Sequence, residues 1–227
     1  MIINHHHKFI FIRSEKTAST SLERYLHDNC KFTKDDVITF VPGGKRKKQN
    51  IAGGMSEEDP SAYWNHMPGY VIRDLLSEEV WTTYYKWCVD RHPLEKTISS
   101  YYHKLSLKWV KNFDDYMTGT RYFPAARAIM GHPEQACNYP KYTEPNNPDI
   151  VIVDKVIKYE NLNRELAVVF KQLNIPWKGK LGYTDKNNYR KDKRPAVEIF
   201  EKNPFNKHLP KLREVFAQEI KLLGYEF

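Results

Sequence analysis

The sequence predicts an α/β fold: a three-layer arrangement with a mostly parallel central sheet flanked by helices. Three observations predict it. A continuous apolar run of strand length stands at residues 9–12, as expected of a strand covered on both faces, and strand-like segments follow at residues 84–89 and within 149–159. Each run is followed by apolar residues at helical spacing, and strands alternating with helices imply right-handed parallel crossovers. The chain has 227 residues, of which 41% are hydrophobic and 14% aromatic, enough for one domain over residues 1–227 and too apolar for a disordered or coiled-coil protein.

The first strand is Phe9, Ile10, Phe11 and Ile12, and Leu22, Tyr25 and Leu26 then trace a helix whose start Ser19, Thr20 and Ser21 are suited to cap. A second strand is expected at residues 37–41, followed by the basic, glycine-rich stretch PGGKRKKQNIAGG, which reads as an exposed loop. YYKWCV is the next buried strand, and Leu94, Ile98, Tyr101, Tyr102, Leu105 and Trp109 form one face of the helix after it. Residues 113–142 show no clean period and read as short helices and loops. DIVIV and KVIKY are strand-like, Leu162, Leu166, Val169, Phe170 and Leu173 recur at helical spacing, and a last helix is expected over residues 208–223 with Gly224 as its stop.

A net charge of +8 favours an anionic partner without saying which. Cys30, Cys88 and Cys137 are odd in number and far apart, as expected of reduced thiols used in packing. His5, His6 and His7 stand in what reads as a solvated N-terminal segment, because neighbouring residues of a strand point to opposite faces and no carboxylate or cysteine cluster adjoins them. With neither an apolar leader at the start nor a membrane-length apolar run, the expectation is a cytoplasmic protein that uses no membrane.

Chemistry concentrates in two stretches. SEKTASTS lies between the first strand and its helix, where an open α/β sheet binds ligands against free amides and the positive end of the helix dipole. Lys16 supplies a charge and Thr17, Ser19, Thr20 and Ser21 supply hydroxyl donors, so the loop reads as an anion cradle, although an ordinary capped helix with a surface lysine has the same composition. Both glycines of a Walker A loop are missing, which disfavours a nucleotide-dependent phosphotransferase. In VDRHPLEKTISSYY, Arg91 ends a strand, Pro93 opens a helix and Ser99 follows eight positions after Arg91; a surface ion pair of Arg91 with Glu95 is the bland alternative.

Together these segments resemble the cofactor signature of sulfotransferases that use 3′-phosphoadenosine 5′-phosphosulfate (PAPS). KTASTS is similar to the 5′-phosphosulfate loop of the carbohydrate-modifying, heparan sulfate 2-O-like members, and VDRHPLEKTISSYY to the 3′-phosphate motif, with Arg91, Pro93, Ser99 and Tyr101 in place. His92 stands where asparagine is usual and Lys96 where arginine is usual, and a lysine lacks the bidentate fork. VIKYENL and the closing IKLLGYEF extend the likeness over nearly the whole chain.

The resemblance implies a P-loop-NTPase-like sulfotransferase fold and in-line transfer of a sulfuryl group from PAPS to a hydroxyl-bearing, saccharide-like acceptor. Adenosine 3′,5′-bisphosphate is the product, and neither metal nor nucleic acid is expected. Lys16 would stabilise the leaving oxygen, and Thr17, Ser19, Thr20, Ser21, Arg91 and Ser99 would hold the donor. Arg190 and Lys193, in NNYRKDKRP, would close on the 3′-phosphate or else belong to a solvated charge run. His66 is the candidate base and Glu57 or Glu58 the alternative, since neutral imidazole accepts a proton near pH 7. The rival classes are a noncatalytic binder of acidic glycan or nucleic acid, acting through GKRKK and YRKDKR, and a phosphotransferase.

Overall fold

Four buried apolar residues in succession, each with a β-branched or aromatic side chain, make Phe9–Ile12 an inner strand. The computed structural model describes residues 1–39, 63–119, 121–123, 128–130, 133–182 and 189–226. Among these, the strands are β1 (Ile2–Asn4), β2 (Phe9–Ile12), β3 (Val37–Ile38), β4 (Tyr85–Asp90), β5 (Arg121–Phe123), β6 (Ala128–Met130) and β7 (Lys155–Lys158). The α-helices are α1 (Ser19–Asn29), α2 (Gly69–Leu75), α3 (Glu78–Thr83), α4 (Pro93–Ser106), α5 (Phe113–Thr118), α6 (Leu162–Gln172), α7 (Ala196–Phe200), α8 (Leu209–Val215) and α9 (Ala217–Leu223). The chain divides into two units: Met1–Asp90 with Tyr139–Asp185, and Arg91–Asn138 with Lys186–Phe227.

The first unit holds a sheet of order β3-β1-β2-β4-β7. β2, β4 and β7 pair in parallel, while β1 is antiparallel to both β2 and β3, so every strand except β1 points the same way. Alternation then separates the faces. Phe9, Phe11, Trp87, Val89 and Ile157 pack with Leu22, Tyr25 and Leu26 of α1 and Leu166, Val169 and Phe170 of α6. On the opposite face, α2 begins so close to Ile12 that a Cβ on Gly69 would sit 2.9 Å from its Cδ1 and 3.0 Å from the Lys141 carbonyl oxygen. Helices therefore cover both faces, as the continuous apolar runs require.

The start of the chain corrects the sequence reading. Ile2, Ile3 and Asn4 are 0% exposed and form β1 inside the sheet, with His5 Nδ1 at 2.6 Å from the Tyr84 hydroxyl and His7 Nδ1 at 2.9 Å from the Leu173 carbonyl. Three residues are too few to show a period, so the strand was hidden by the histidines that turn after it. DIVIV is also not a strand: Val151 makes one antiparallel bridge to Thr143, and only Lys155–Lys158 joins the sheet.

The second unit is built on α4. Its core joins Leu94, Ile98 and Tyr101 of α4 to Phe113 and Tyr116 of α5, Ile199 and Phe200 of α7, and Leu212 and Phe216. Phe113 and Phe205 pack with their ring centroids 4.6 Å apart and their planes tilted by 49°. The single last helix expected from the sequence is two, α8 and α9, separated at the buried Phe216, and Gly224 ends α9 at φ 60° as its position predicts. β5 and β6 pair antiparallel within the stretch that shows no period. Cys30, Cys88 and Cys137 are free thiols. Among the described residues no helix is long and apolar enough to cross a membrane.

Candidate active site

The loop from β2 to α1 is set by two hydroxyl contacts and an alternation of backbone hand. Ser14 and Thr17 are 0% exposed, their hydroxyls lie 2.8 Å apart, and Ser14 Oγ donates to the Val89 carbonyl of the neighbouring strand. Thr17 thus spends its hydroxyl inside the loop. Lys16 (φ 61°) and Ala18 (φ 58°) are left-handed on either side of it, an alternation that turns successive amide groups toward one concavity. The first intrahelical bond runs from Leu22 N to Ala18 O, so the amides of Ser19, Thr20 and Ser21 precede the ladder and are the kind an anion meets at a helix start. No side chain caps α1 and no acidic residue stands in its first turn. Lys16 and Thr20 are half-buried, whereas Ser19 and Ser21 are buried.

His66 lies against this loop, as the third left-handed non-glycine residue of the site (φ 63°). Among the described residues six non-glycine positions have positive φ, and half of them gather here; such strain costs on the order of 1–3 kcal/mol each and concentrates at functional sites. The His66 Nδ1 is 3.3 Å from the Arg13 carbonyl and its Nε2 is 3.4 Å from Glu15 Oε1. Burial, and then the positive charges of Arg13 and Lys141, push its pKa down to about 2, so the ring is neutral. With Nδ1–H assigned to the Arg13 carbonyl, Nε2 is left as the proton acceptor. Glu57 and Glu58, the alternative bases, lie outside the described residues.

In the second unit, Arg91 and Arg190 meet on one carboxylate. Arg91 Nη2 donates to Glu95 Oε2 at 2.9 Å, Arg190 Nη1 donates to the same oxygen at 2.6 Å, and the Ala196 amide donates to Oε1 at 2.7 Å. Burial alone would raise the Glu95 pKa, but the Ala196 amide, Arg190 and Arg91 outweigh it and hold the carboxyl below its usual range. Arg190 also donates to the carbonyls of Asp192 and Arg194, so among the described residues three of its five N–H groups are engaged. Ser99 is half-buried one turn beyond Glu95 on the same face of α4, while Lys193 is exposed.

Both departures in the Arg91 motif have structural causes. His92 caps α4, its Nδ1 accepting from Leu94 N at 3.3 Å and its Nε2 bonding the Glu226 carbonyl at 2.9 Å, so imidazole does the work of a capping amide. Lys96 points into the protein, where it pairs with Glu219 at 2.5 Å, both side chains 0% exposed, and lies 5.1 Å from the Phe216 ring. Its charge belongs to the core of the second unit.

Each cluster on its own suits an oxyanion: donors in a concavity with a lysine in one, paired guanidinium groups in the other. A family model described as sulfotransferase family matches residues 1–226. The chain belongs to the sulfotransferase family. A curated relative from Archaeoglobus fulgidus, described as an uncharacterized protein, is 32% identical over 128 residues, covering 55% of this chain and 98% of its own. No solved structure is a significant match. As a sulfotransferase, the chain transfers a sulfuryl group to a hydroxyl-bearing acceptor.

Arg13, Glu15 and Glu95 are part of these two clusters, and sequence reasoning gave none of them a role in the site. Glu15 adjoins Lys16 in the loop and Glu95 sits between Arg91 and Ser99, so adjacency to the motifs was the available signal. Arg13 had a fainter one: a charge directly after four buried apolar strand residues asks for a buried partner.

Proposed function

We propose that this sulfotransferase uses PAPS as donor and a saccharide hydroxyl as acceptor, with residues 1–227 serving as one catalytic domain. The observation that carries the reading is the β2–α1 loop, whose alternating backbone hand, uncapped helix start and Lys16 form a cradle for the phosphosulfate end of such a donor. Arg91, Arg190 and Ser99 are assigned to its 3′-phosphate, with Lys193 as an exposed auxiliary charge. PAPS, when bound, supplies the sulfuryl group and leaves as adenosine 3′,5′-bisphosphate.

Lys16 and the amides of the first turn neutralise negative charge growing on the oxygen between phosphorus and sulfur as its bond to sulfur breaks. His66 Nε2 takes the acceptor's proton as the acceptor oxygen bonds to sulfur, and the Glu15 carboxylate 3.4 Å away stabilises the imidazolium that results. Anionic ligand near Arg13 and Lys141 offsets the two charges that depress His66, which makes the ring a stronger base when the donor is present.

Transfer from radiolabelled PAPS to an unfractionated glycan pool tests the reading. Transfer by the wild type with loss in Lys16→Ala supports it; equal transfer by both defeats the assignment of Lys16. Calorimetry gives a second measure, with tighter binding of adenosine 3′,5′-bisphosphate than of ATP expected and the opposite order favouring a phosphotransferase.

A further inference from the structure

We infer that Arg13 is a positioning residue of the donor loop: its guanidinium fixes the Thr20 hydroxyl as a donor toward the ligand, and its carbonyl seats His66. The inference rests on the donor reading above. Arg13 follows the last residue of β2 and is 3% exposed. Its Nη1 donates to the carboxylate of Glu23, itself 0% exposed, and its Nη2 donates to Thr20 Oγ1 at 2.9 Å. Thr20 and Glu23 are three positions apart on α1, so both face the same guanidinium.

Guanidinium is a donor only, and this decides the direction of the Thr20 hydroxyl. Because Thr20 Oγ1 accepts from Arg13, its own proton points away from the guanidinium and is available to an anionic oxygen in the loop. A rotor that would otherwise sample three wells is set before ligand arrives. The Arg13 carbonyl meanwhile faces His66 Nδ1 at 3.3 Å and is served by the tautomer with its proton there, which puts the lone pair on Nε2, 3.4 Å from Glu15 Oε1. One residue thus orders a donor on α1 and the ring that leads into α2.

Stability alone does not account for this arrangement. A buried ion pair gains little net stability over apolar residues of similar volume, because desolvation offsets the attraction. Glu23 pairs with Arg13 Nη1 through Oε2 and with the Met1 ammonium through Oε1. The bond left over at Nη2 goes to the loop.

A double-mutant cycle on the full chain, read as calorimetric affinity for adenosine 3′,5′-bisphosphate, tests it. Arg13→Lys keeps a charge for Glu23 but loses the fork, and Thr20→Val keeps the shape but loses the hydroxyl. Each is expected to weaken binding about 10-fold, and the double variant by no more than about twofold beyond either, since both remove the same bond. Thr20→Ser, which retains the accepting oxygen, should recover most of the affinity that Thr20→Val loses. Additive losses, or an Arg13→Lys chain that binds normally, overturn the role of Arg13 and leave the donor reading standing; a wild type that fails to bind the bisphosphate overturns both. If Arg13→Lys does not fold by circular dichroism, the guanidinium nitrogen resonances of Arg13 decide. They should shift on adding the bisphosphate to wild type and stay still in Thr20→Val, and equal behaviour in the two chains overturns the role.

Discussion

The loop before α1 and the arginine pair on Glu95 are both proposed as anion sites, but they are made differently. The loop is local: its strained residues, hydroxyls and helix start fall within residues 13–21, and its preference for an anion comes from how the backbone is turned. The arginine site is assembled across a sequence separation of 95 residues between Arg190 and Glu95, and its preference comes from full charges that already satisfy a carboxylate. Shape is preset in the first; in the second, charge is preset and the internal carboxylate keeps it in place. The first should therefore act on rate and the second on affinity.

Four measurements break or sharpen that contrast, beginning with the largest effect. Lys96 and Lys16 are the same residue type in opposite roles. Removing the Glu219 partner of Lys96 (Glu219→Ala) should cost about 3–5 kcal/mol of stability, read from denaturant unfolding, because it takes the paired carboxylate from a fully buried ammonium. Lys16→Ala should leave the unfolding midpoint nearly unchanged and lower kcat about 100- to 1000-fold. A large loss of stability in that variant would mean the lysine is structural. Arg91→Ala should raise the dissociation constant for adenosine 3′,5′-bisphosphate by about 10- to 100-fold through one lost charge-assisted bond, with a smaller change in kcat; the reverse pattern would erase the division between the two sites.

The smallest expected effect, when read over a single pH unit, is pH dependence at His66. Its pKa is about 2 in the folded chain against an ordinary 6.5, so between those values the unfolded chain binds a proton that the folded chain does not. The stability this contributes is fully present above pH 6.5 and falls as pH drops below it, by at most about 1.4 kcal/mol per pH unit. His66→Gln should flatten unfolding free energy in that window, and an unchanged slope would show that the ring is protonated in the native protein.

What could be read from the sequence was whatever a short window contains. β2, α1, β4, α4, β7 and α6 announced themselves through apolar runs and helical spacing, and Gly224 through its place after the last periodic residue. The KTASTS loop was legible because its parts are consecutive. β1 was not, since three residues carry no period and the histidines after it suggested solvent. Lys96 was not either: its partner Glu219 stands 123 residues away, and a lysine at a motif position reads as a ligand until a buried carboxylate is seen beside it. Arg13 shares that difficulty in milder form, because nothing in the spacing to Glu23 says that both are sealed from water.

Ala18 draws one further consequence from its left-handed backbone. A glycine there would move between mirror-image conformations at little cost, and the cradle would loosen whenever nothing filled it. An alanine holds that region only under strain, so the anchored strand before it and helix after it impose the turn, and the loop is a template that survives emptying as long as they do. Under the proposed donor reading each catalytic cycle then begins without a refolding step in this loop, and an Ala18→Gly chain should show greater amide exchange in the empty loop than in the filled one.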